Sequence, residues 1–95
     1  MSERQKTTAE PIVDNDRVRI TRYTWGPGAE TGWHKHPYDY VIVPYRDCKV
    51  RVETAIDSFE AGMFRDQPYF REKGVEHNVI SIETEDFALI EIEIK

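Results

Sequence analysis

Apolar and polar side chains alternate through most of the chain from Arg17 onward. The segments RVRITRYTW (17–25), CKVRVET (48–54) and FALIEIEIK (87–95) each alternate, and in the last of them the isoleucines share one face and the glutamates the other. Side chains at i and i+2 of a strand point to the same side of a sheet, so this period predicts β-strands. No segment keeps a helical period over three turns.

Turn-forming residues interrupt these strands at intervals of roughly ten residues. The segment GPGAETG (26–32) is typical of a loop, and Asp47 and Cys48 lie where a hairpin turn would join residues 39–46 to residues 48–54. Seven or eight short strands with such spacing predict an all-β fold, either a sandwich or a barrel.

The length of 95 residues fits one small domain, which we assign to residues 17–95. Residues 1–16 are polar and are expected to form an N-terminal arm, flexible in part. A net charge of −5 argues against a nucleic-acid partner, and no apolar run approaches the ~20 residues of a membrane span. The single cysteine, Cys48, cannot form an intramolecular disulfide, which predicts a cytoplasmic protein.

Two predicted strands, at residues 40–43 and 79–82, are apolar on nearly both faces. A strand buried on both sides in so small a domain must contact something besides its own core. A partner subunit is the simplest candidate, so we expect a homodimer.

The three histidines are the main candidates for chemistry. His34 and His36 lie in GWHKHPYDY, and His77 lies in GVEHNVIS. Imidazoles at i and i+2 of a strand, about 6.6 Å apart along it, can both reach one ion at about 2.0–2.1 Å. A third ligand would come from another strand, and His77 opens one. Alternatively, His34 and His36 are solvated side chains beside Lys35.

These residues also carry a family resemblance. Two motifs with fixed spacing contain them: Gly28, His34, Lys35, His36 and Tyr40, then Gly62, Pro68, Gly74 and His77. They resemble the two motifs of the cupin superfamily, and the chain is similar to its small single-domain members associated with bacterial β-alanine degradation. The resemblance implies a double-stranded β-helix, or jelly-roll barrel, commonly dimeric. It also implies that His34, His36 and His77 bind a metal ion inside the barrel.

The chain departs from the family pattern at two positions. Tyr40 stands where the family usually has a metal-binding glutamate, and Ser81 where the second motif usually ends in asparagine. The implied ligand set is therefore three neutral histidines. Tyr40 has the strand parity of the histidines, so its phenol either faces the metal and substrate from outside the ligand set or is a core aromatic at the barrel mouth.

Two functions remain open from the sequence. Three neutral ligands leave a divalent ion its full charge and leave coordination positions open, which favours a small anionic metabolite as ligand. Because cupin thiol dioxygenases are similar in having three histidines, the first hypothesis is an Fe(II)-dependent dioxygenase; zinc, nickel, manganese and copper are alternative metals. The second hypothesis is a non-catalytic metal-dependent ligand-binding or accessory protein. Arg22, Arg51 and Arg71 can each supply a clamp for a substrate carboxylate or lie on the surface.

Overall fold

The alternating segments form antiparallel strands that enclose a barrel. The computed structural model describes residues 4–95, which contain no helix that could cross a membrane. The strands found in this range are β1 (Thr8–Asp14), β2 (Val18–Trp25), β3 (His34–Lys35), β4 (Asp39–Pro44), β5 (Cys48–Glu53), β6 (Ser58–Met63), β7 (Tyr69–Arg71), β8 (Glu76–Ser81) and β9 (Phe87–Ile94).

The strands divide into two sheets that face each other. A five-stranded sheet has the order β1-β2-β9-β4-β7, and a four-stranded sheet has the order β3-β8-β5-β6. Both sheets contribute to one core, in which the buried residues are Trp25, Ala29, Tyr40, Ile42, Cys48, Val50, Met63, Phe87 and Leu89. The predicted all-β jelly roll is confirmed.

Strand β9 turns its glutamate face inward. Glu91 and Glu93 are buried, as are Phe87 and Leu89 on the same side of the strand, whereas Ile94 is exposed on the other side. The inward glutamates are tolerated because this part of the barrel is polar and hollow, as described below. The isoleucine face of β9 therefore lies on the outside of the five-stranded sheet.

The inner face of the five-stranded sheet changes character along its strands. At one end, which we call the apolar end, lie Trp25, Pro44, Phe87 and Leu89. At the other, which we call the polar end, lie Arg19, Thr21, Tyr40, Arg71, Glu91 and Glu93. The indole of Trp25 stacks on the ring of Phe87 at 4.9 Å with an interplanar angle of 11°. Such close aromatic packing belongs to a solid core.

The predicted hairpin turn at Asp47 and Cys48 is wrong. Strand β4 pairs with β7 and β9, whereas β5 pairs with β6 and β8, so the connection between β4 and β5 crosses from one sheet to the other. Alternation marks a strand but does not encode which sheet it joins.

The segment predicted as an N-terminal arm contains strand β1. This strand pairs with β2 along the edge of the five-stranded sheet, with an irregularity in the register between Pro11 and Val13. All seven of its residues are exposed. The strand therefore extends the sheet without adding to the core.

The edge of β8 opposite β5 is covered by residues of the same chain. The Ser81 N–H donates to the Ala29 carbonyl at 2.8 Å, and the Thr31 N–H donates to the Val79 carbonyl at 2.9 Å, so residues 29–31 pair along the edge of β8. The outward side chain of Asn78 donates to Glu30 at 2.8 Å. Ile80, on the same side of the strand as Asn78, is 5% exposed within the single chain, so its burial does not require a partner subunit.

Candidate metal centre

The pairing of β3 with β8 brings the three histidines together. His34 on β3 lies directly opposite His77 on β8. The backbone N–H of His36 donates to the Val75 carbonyl at 2.8 Å, and the Gly74 N–H donates to the His36 carbonyl at 2.8 Å. These bonds continue the pairing past the end of β3. All three imidazoles consequently project to the inside from one edge of the four-stranded sheet.

A glycine turn before β3 fixes the orientation of the first imidazole. Gly32 has a φ of 86°, a conformation in which side-chain-bearing residues are strained. Its N–H donates to the Asn78 side-chain oxygen at 2.9 Å, and its carbonyl lies 2.8 Å from Nδ1 of His34. Because a carbonyl can only accept, Nδ1 carries the proton and the lone pair of Nε2 points into the site.

The Nε2 atoms of the three imidazoles converge on one point. The distance from His34 Nε2 to His36 Nε2 is 3.0 Å, and from His36 Nε2 to His77 Nε2 it is 3.2 Å. Three imidazoles bound to one ion at about 2.0–2.1 Å, with angles between 90° and 109°, have nitrogens roughly 2.9–3.4 Å apart. The two distances from His36 fit this geometry, and the ligand atoms of all three imidazoles lie within 4.8 Å of one another. Within residues 4–95, this is the group of histidine, cysteine and acidic side chains that could hold a metal ion.

The protonation states of the histidines also suit a metal. Burial lowers the pKa of His36 to about 3, and the neighbouring His34 and His77 lower it further in the same direction. Burial and His34 lower the pKa of His77 to about 4. Both rings are therefore neutral at neutral pH, which is the form that coordinates a metal.

Tyr40 lies against the site without joining the cluster of nitrogens. Its ring stacks on the His36 imidazole, with centroids 3.9 Å apart and an interplanar angle of 16°. Burial raises the pKa of its phenol, and the carboxyl of Glu91 raises it further. The hydroxyl therefore stays protonated at neutral pH and can donate a hydrogen bond. At this position the ring fixes the plane of His36.

Glu91 approaches the site from the opposite sheet. One of its carboxyl oxygens lies 3.9 Å from Nδ1 of His36. Burial raises the pKa of Glu91 to about 7, and the carboxyl of Glu93 raises it in the same direction. Since the pKa of His36 is lowered, this contact is not an ion pair at neutral pH. Glu91 instead faces the ring nitrogen of His36 that points away from the other histidines.

Arg19 and Glu93 form a part of the polar end that sequence reasoning missed. The Arg19 guanidinium donates to both carboxyl oxygens of Glu93, at 2.6 and 2.9 Å. Hydrogen bonding to this carboxylate raises the pKa of Arg19. The signal in the sequence was ambiguous, because Glu91 and Glu93 share a strand face with Phe87 and Leu89 while the opposite face is apolar throughout.

The imidazoles open into a cavity of about 640 Å³. One wall is the inner face of the five-stranded sheet and is polar near the histidines. The opposite wall comes from β5, β6 and β8 and is apolar; it consists of Val50, Val52, Phe59, Ala61 and Val79. A ligand in this cavity would meet charged and hydroxyl groups on one side and hydrocarbon on the other. That pattern is common among small-molecule sites.

The structure separates the three arginines considered as carboxylate clamps. Arg22 points outward and donates to Glu10 at 2.9 Å. Arg51 also points outward, with Glu60 at 3.7 Å. Arg71 lines the cavity. The strand parity of Arg71 could not be read from the sequence because Pro68 and the short β7 obscure the register.

Comparisons with known proteins agree with the fold and the site. No family model matches the chain. The Beta-alanine degradation protein BauB of Pseudomonas aeruginosa is 42% identical over 95 residues, 100% of both chains. The crystal structure of a cupin domain from Bordetella pertussis Tohama I is 40% identical, with a TM-score of 0.98 over 100% of this chain and 99% of that one.

A more distant structure shows the same fold. It is a conserved protein with a double-stranded β-helix domain from Klebsiella pneumoniae. This protein is 10% identical, with a TM-score of 0.78 over 99% of this chain and 81% of that one. Because identity in the Bordetella and Pseudomonas relatives extends along the whole chain, the chain belongs to the cupin superfamily.

Proposed function

We propose that the chain binds one divalent metal ion through Nε2 of His34, His36 and His77 and acts as an Fe(II)-dependent dioxygenase on a short anionic metabolite. The observation that carries this proposal is the convergence of three imidazole nitrogens, 3.0 and 3.2 Å apart, at the polar end of a cavity. No carboxylate belongs to that cluster within residues 4–95.

The charge of the ligand set supports an anionic substrate. Three neutral imidazoles leave a divalent ion its full charge, and fewer than four protein ligands leave positions open for substrate. Structural zinc sites are normally closed by four protein ligands, so an open site favours chemistry or ligand binding. Bound Fe(II) would supply the redox chemistry of oxygen, and the chain would supply orientation and exclusion of water.

The chain's own residues divide these tasks. Tyr40 holds the His36 ring by stacking, and its protonated hydroxyl can donate to a substrate oxygen. The apolar wall, with Val52 and Val79, keeps bulk water away from the reacting group. Glu91 faces Nδ1 of His36 at 3.9 Å, too far for a hydrogen bond, but a carboxylate on that side favours the tautomer with the proton on Nδ1 and the lone pair of Nε2 directed to the metal.

The name of the relative BauB and the charge of the metal site both support one class of substrate. BauB is named for β-alanine degradation, and it matches this chain at 42% identity over its whole length. We therefore propose a short carboxylate that arises in the breakdown of β-alanine. A cavity of about 640 Å³ has ample room for such a molecule.

Oxygen consumption tests the proposal. The chain is loaded anaerobically with Fe(II), titrated with short carboxylate-bearing thiols and β-keto acids, and then exposed to oxygen. A spectral change on titration followed by oxygen uptake is the expected result, and His77→Ala is the matched control that should show neither. Binding without uptake would overturn the dioxygenase and support the second hypothesis, a metal-dependent ligand-binding or accessory protein.

We also propose that two copies associate through the outer face of the five-stranded sheet. This face carries the apolar side chains Val18, Ile20, Val41, Val43, Ile90, Ile92 and Ile94. In a chain with a net charge of −5, a surface made largely of apolar side chains is one on which two copies meet with little repulsion. A second copy would remove this apolar area from water.

Ile92 lies at the centre of the outer face, paired with Ile20 on one side and Val41 on the other. Ile92→Arg should therefore convert a dimer to a monomer in light scattering at micromolar concentration. Ile56→Arg is the matched control, because Ile56 is 93% exposed in the connection between β5 and β6. A monomer mass for the unmodified chain would contradict the proposal.

We further propose a cytoplasmic location. The support is the single cysteine, Cys48, which is buried as a free thiol whose pKa burial raises to about 11. An unpaired, unreactive thiol suits a reducing compartment. Detection of the chain in the periplasmic or secreted fraction of fractionated cells would contradict this location.

A further inference from the structure

Arg71 occupies a distinctive position at the polar end. It lies opposite Tyr40 across the β4–β7 pair and lines the cavity. Tyr40 in turn stacks on His36, so Tyr40 contacts the histidine cluster and has Arg71 as its cross-strand neighbour. A ligand that reaches from the histidines past Tyr40 would meet the Arg71 side chain.

The two arginines that line the cavity differ in how their charge is balanced. Arg19 forms two hydrogen bonds to the buried carboxylate of Glu93, which is 4% exposed. Arg71 has no carboxylate partner among residues 4–95; its one hydrogen bond goes to the Phe70 carbonyl at 3.0 Å. The guanidinium of Arg71 therefore keeps most of its donors available for an anion.

The packing of Arg71 also favours an anion in the cavity. Its guanidinium carbon lies 4.6 Å from the centroid of the Tyr69 ring, a cation–π contact that restricts the orientation of the planar group. Its charge lowers the pKa of both Tyr69 and Tyr40, although burial raises both more strongly. The positive charge of Arg71 therefore acts on groups that line the cavity.

We propose that Arg71 determines substrate specificity by binding the carboxylate of a short bifunctional acid whose other end occupies open positions at the metal. The planar fork of a guanidinium matches the two oxygens of a carboxylate, and a lysine or tyrosine does not. The apolar wall of the cavity would face the methylene groups between the two ends of such a ligand. This inference rests on the proposed function, because the second end of the ligand binds the metal ion.

A pair of probes that differ only in charge tests the assignment. The chain is loaded with Co(II), whose absorption spectrum reports thiolate binding, and titrated with 3-mercaptopropionate or with its neutral amide. The unmodified chain should bind the carboxylate about 10- to 100-fold more tightly than the amide. Arg71→Met replaces the side chain by an unbranched apolar one similar to the arginine stem, removes the guanidinium, and should reduce this preference to less than about threefold.

Two matched controls use the outward arginines. Arg22→Met and Arg51→Met remove the same charge from outside the barrel and should keep the full preference. Arg71→Lys, a second variant that conserves the charge, should keep only part of it, because an ammonium cannot form the fork.

The outcomes separate this inference from the proposed function. Equal binding of the two probes by the unmodified chain, or a full preference in Arg71→Met, would overturn the role of Arg71 alone and leave the open metal site intact. No spectral response to either probe would contradict the open site itself, and the assignment of Arg71 would fall with it.

Discussion

The two ends of the barrel interior are built on the same strands and have opposite characters. At the apolar end, Trp25 stacks on Phe87 beside the buried Leu89. At the polar end, the same strands β2 and β9 present Arg19 and Glu93, which form an ion pair in which Glu93 is buried and Arg19 is partly exposed. Moving four or six residues along one strand thus changes a packed core into a lined cavity.

The difference shows how a small chain combines a stable fold with a site. Buried carboxyl groups and converging histidines cost stability because they lose hydration. The apolar end offsets that cost with close packing, so the polar end is free to keep groups whose pKa values are strongly shifted. The cupin barrel therefore concentrates stability at one end and chemistry at the other.

The largest effect should come from breaking the apolar end. Trp25→Ala removes an indole that is 3% exposed, that stacks on Phe87 and that donates to the Val79 carbonyl at 3.3 Å. The free energy of unfolding in urea should fall by about 3–5 kcal/mol. Arg71→Ala at the polar end should change it by no more than about 0.5 kcal/mol. A loss below about 1 kcal/mol for Trp25→Ala would show that this end is not the main source of stability.

A smaller effect, dependent on pH, should mark the polar end. The pKa of Glu91 is raised to about 7 in the folded chain. Its contribution to stability is then fully present below the unfolded pKa, near 4.5, and is lost as the pH rises through 7. Glu91→Gln has no titrating carboxyl at this position and therefore does not lose this stability. The unfolding free energy of the variant minus that of the unmodified chain, both metal-free, should rise by about 2–3 kcal/mol from pH 4.5 to pH 8.

The pH experiment has an internal control. His36 and His77 titrate in an overlapping range, but both chains contain them, so their contributions cancel in the difference. Leu89→Ala, at the apolar end, should be destabilised by the same amount at both pH values. A difference between Glu91→Gln and the unmodified chain that is constant with pH would contradict the raised pKa.

The smallest effect should come from Tyr40→Phe. This substitution tests whether Tyr40 only positions the His36 ring or itself binds the metal ion. The substitution keeps the ring that stacks on His36 and removes only a hydroxyl that forms no hydrogen bond within the described part of the chain. The unfolding free energy should change by less than about 1 kcal/mol, with metal content unchanged. Loss of metal in elemental analysis would instead place the phenolic oxygen among the ligands.

Much of the fold could be predicted from the sequence because alternation is a local property. The strands at residues 18–25 and 87–94 follow directly from their period of two. The division of strands between sheets could not be predicted in this way. Strands β4 and β5 are close in sequence and belong to different sheets, because long-range pairing rather than the local pattern decides sheet membership.

The histidine cluster of the site could be predicted from the sequence, but the residues that surround it could not. The spacing of His34 and His36 and the cupin resemblance pointed to the cluster with His77. The inward placement of Glu93 depends on its pairing with Arg19, 74 residues away in sequence. The selection of Arg71 from three candidate arginines depends on the register of β7, which local parity does not fix.

Metal stoichiometry tests the central claim most directly. The unmodified chain and His77→Ala are each dialysed against Fe(II) under anaerobic conditions and then against metal-free buffer, and the bound metal is measured per chain. The unmodified chain should retain one ion, and His77→Ala should retain none in stoichiometric amount, since two imidazoles alone hold an ion weakly. Full occupancy in His77→Ala would contradict the claim that the pairing of β3 with β8 builds a three-histidine metal site.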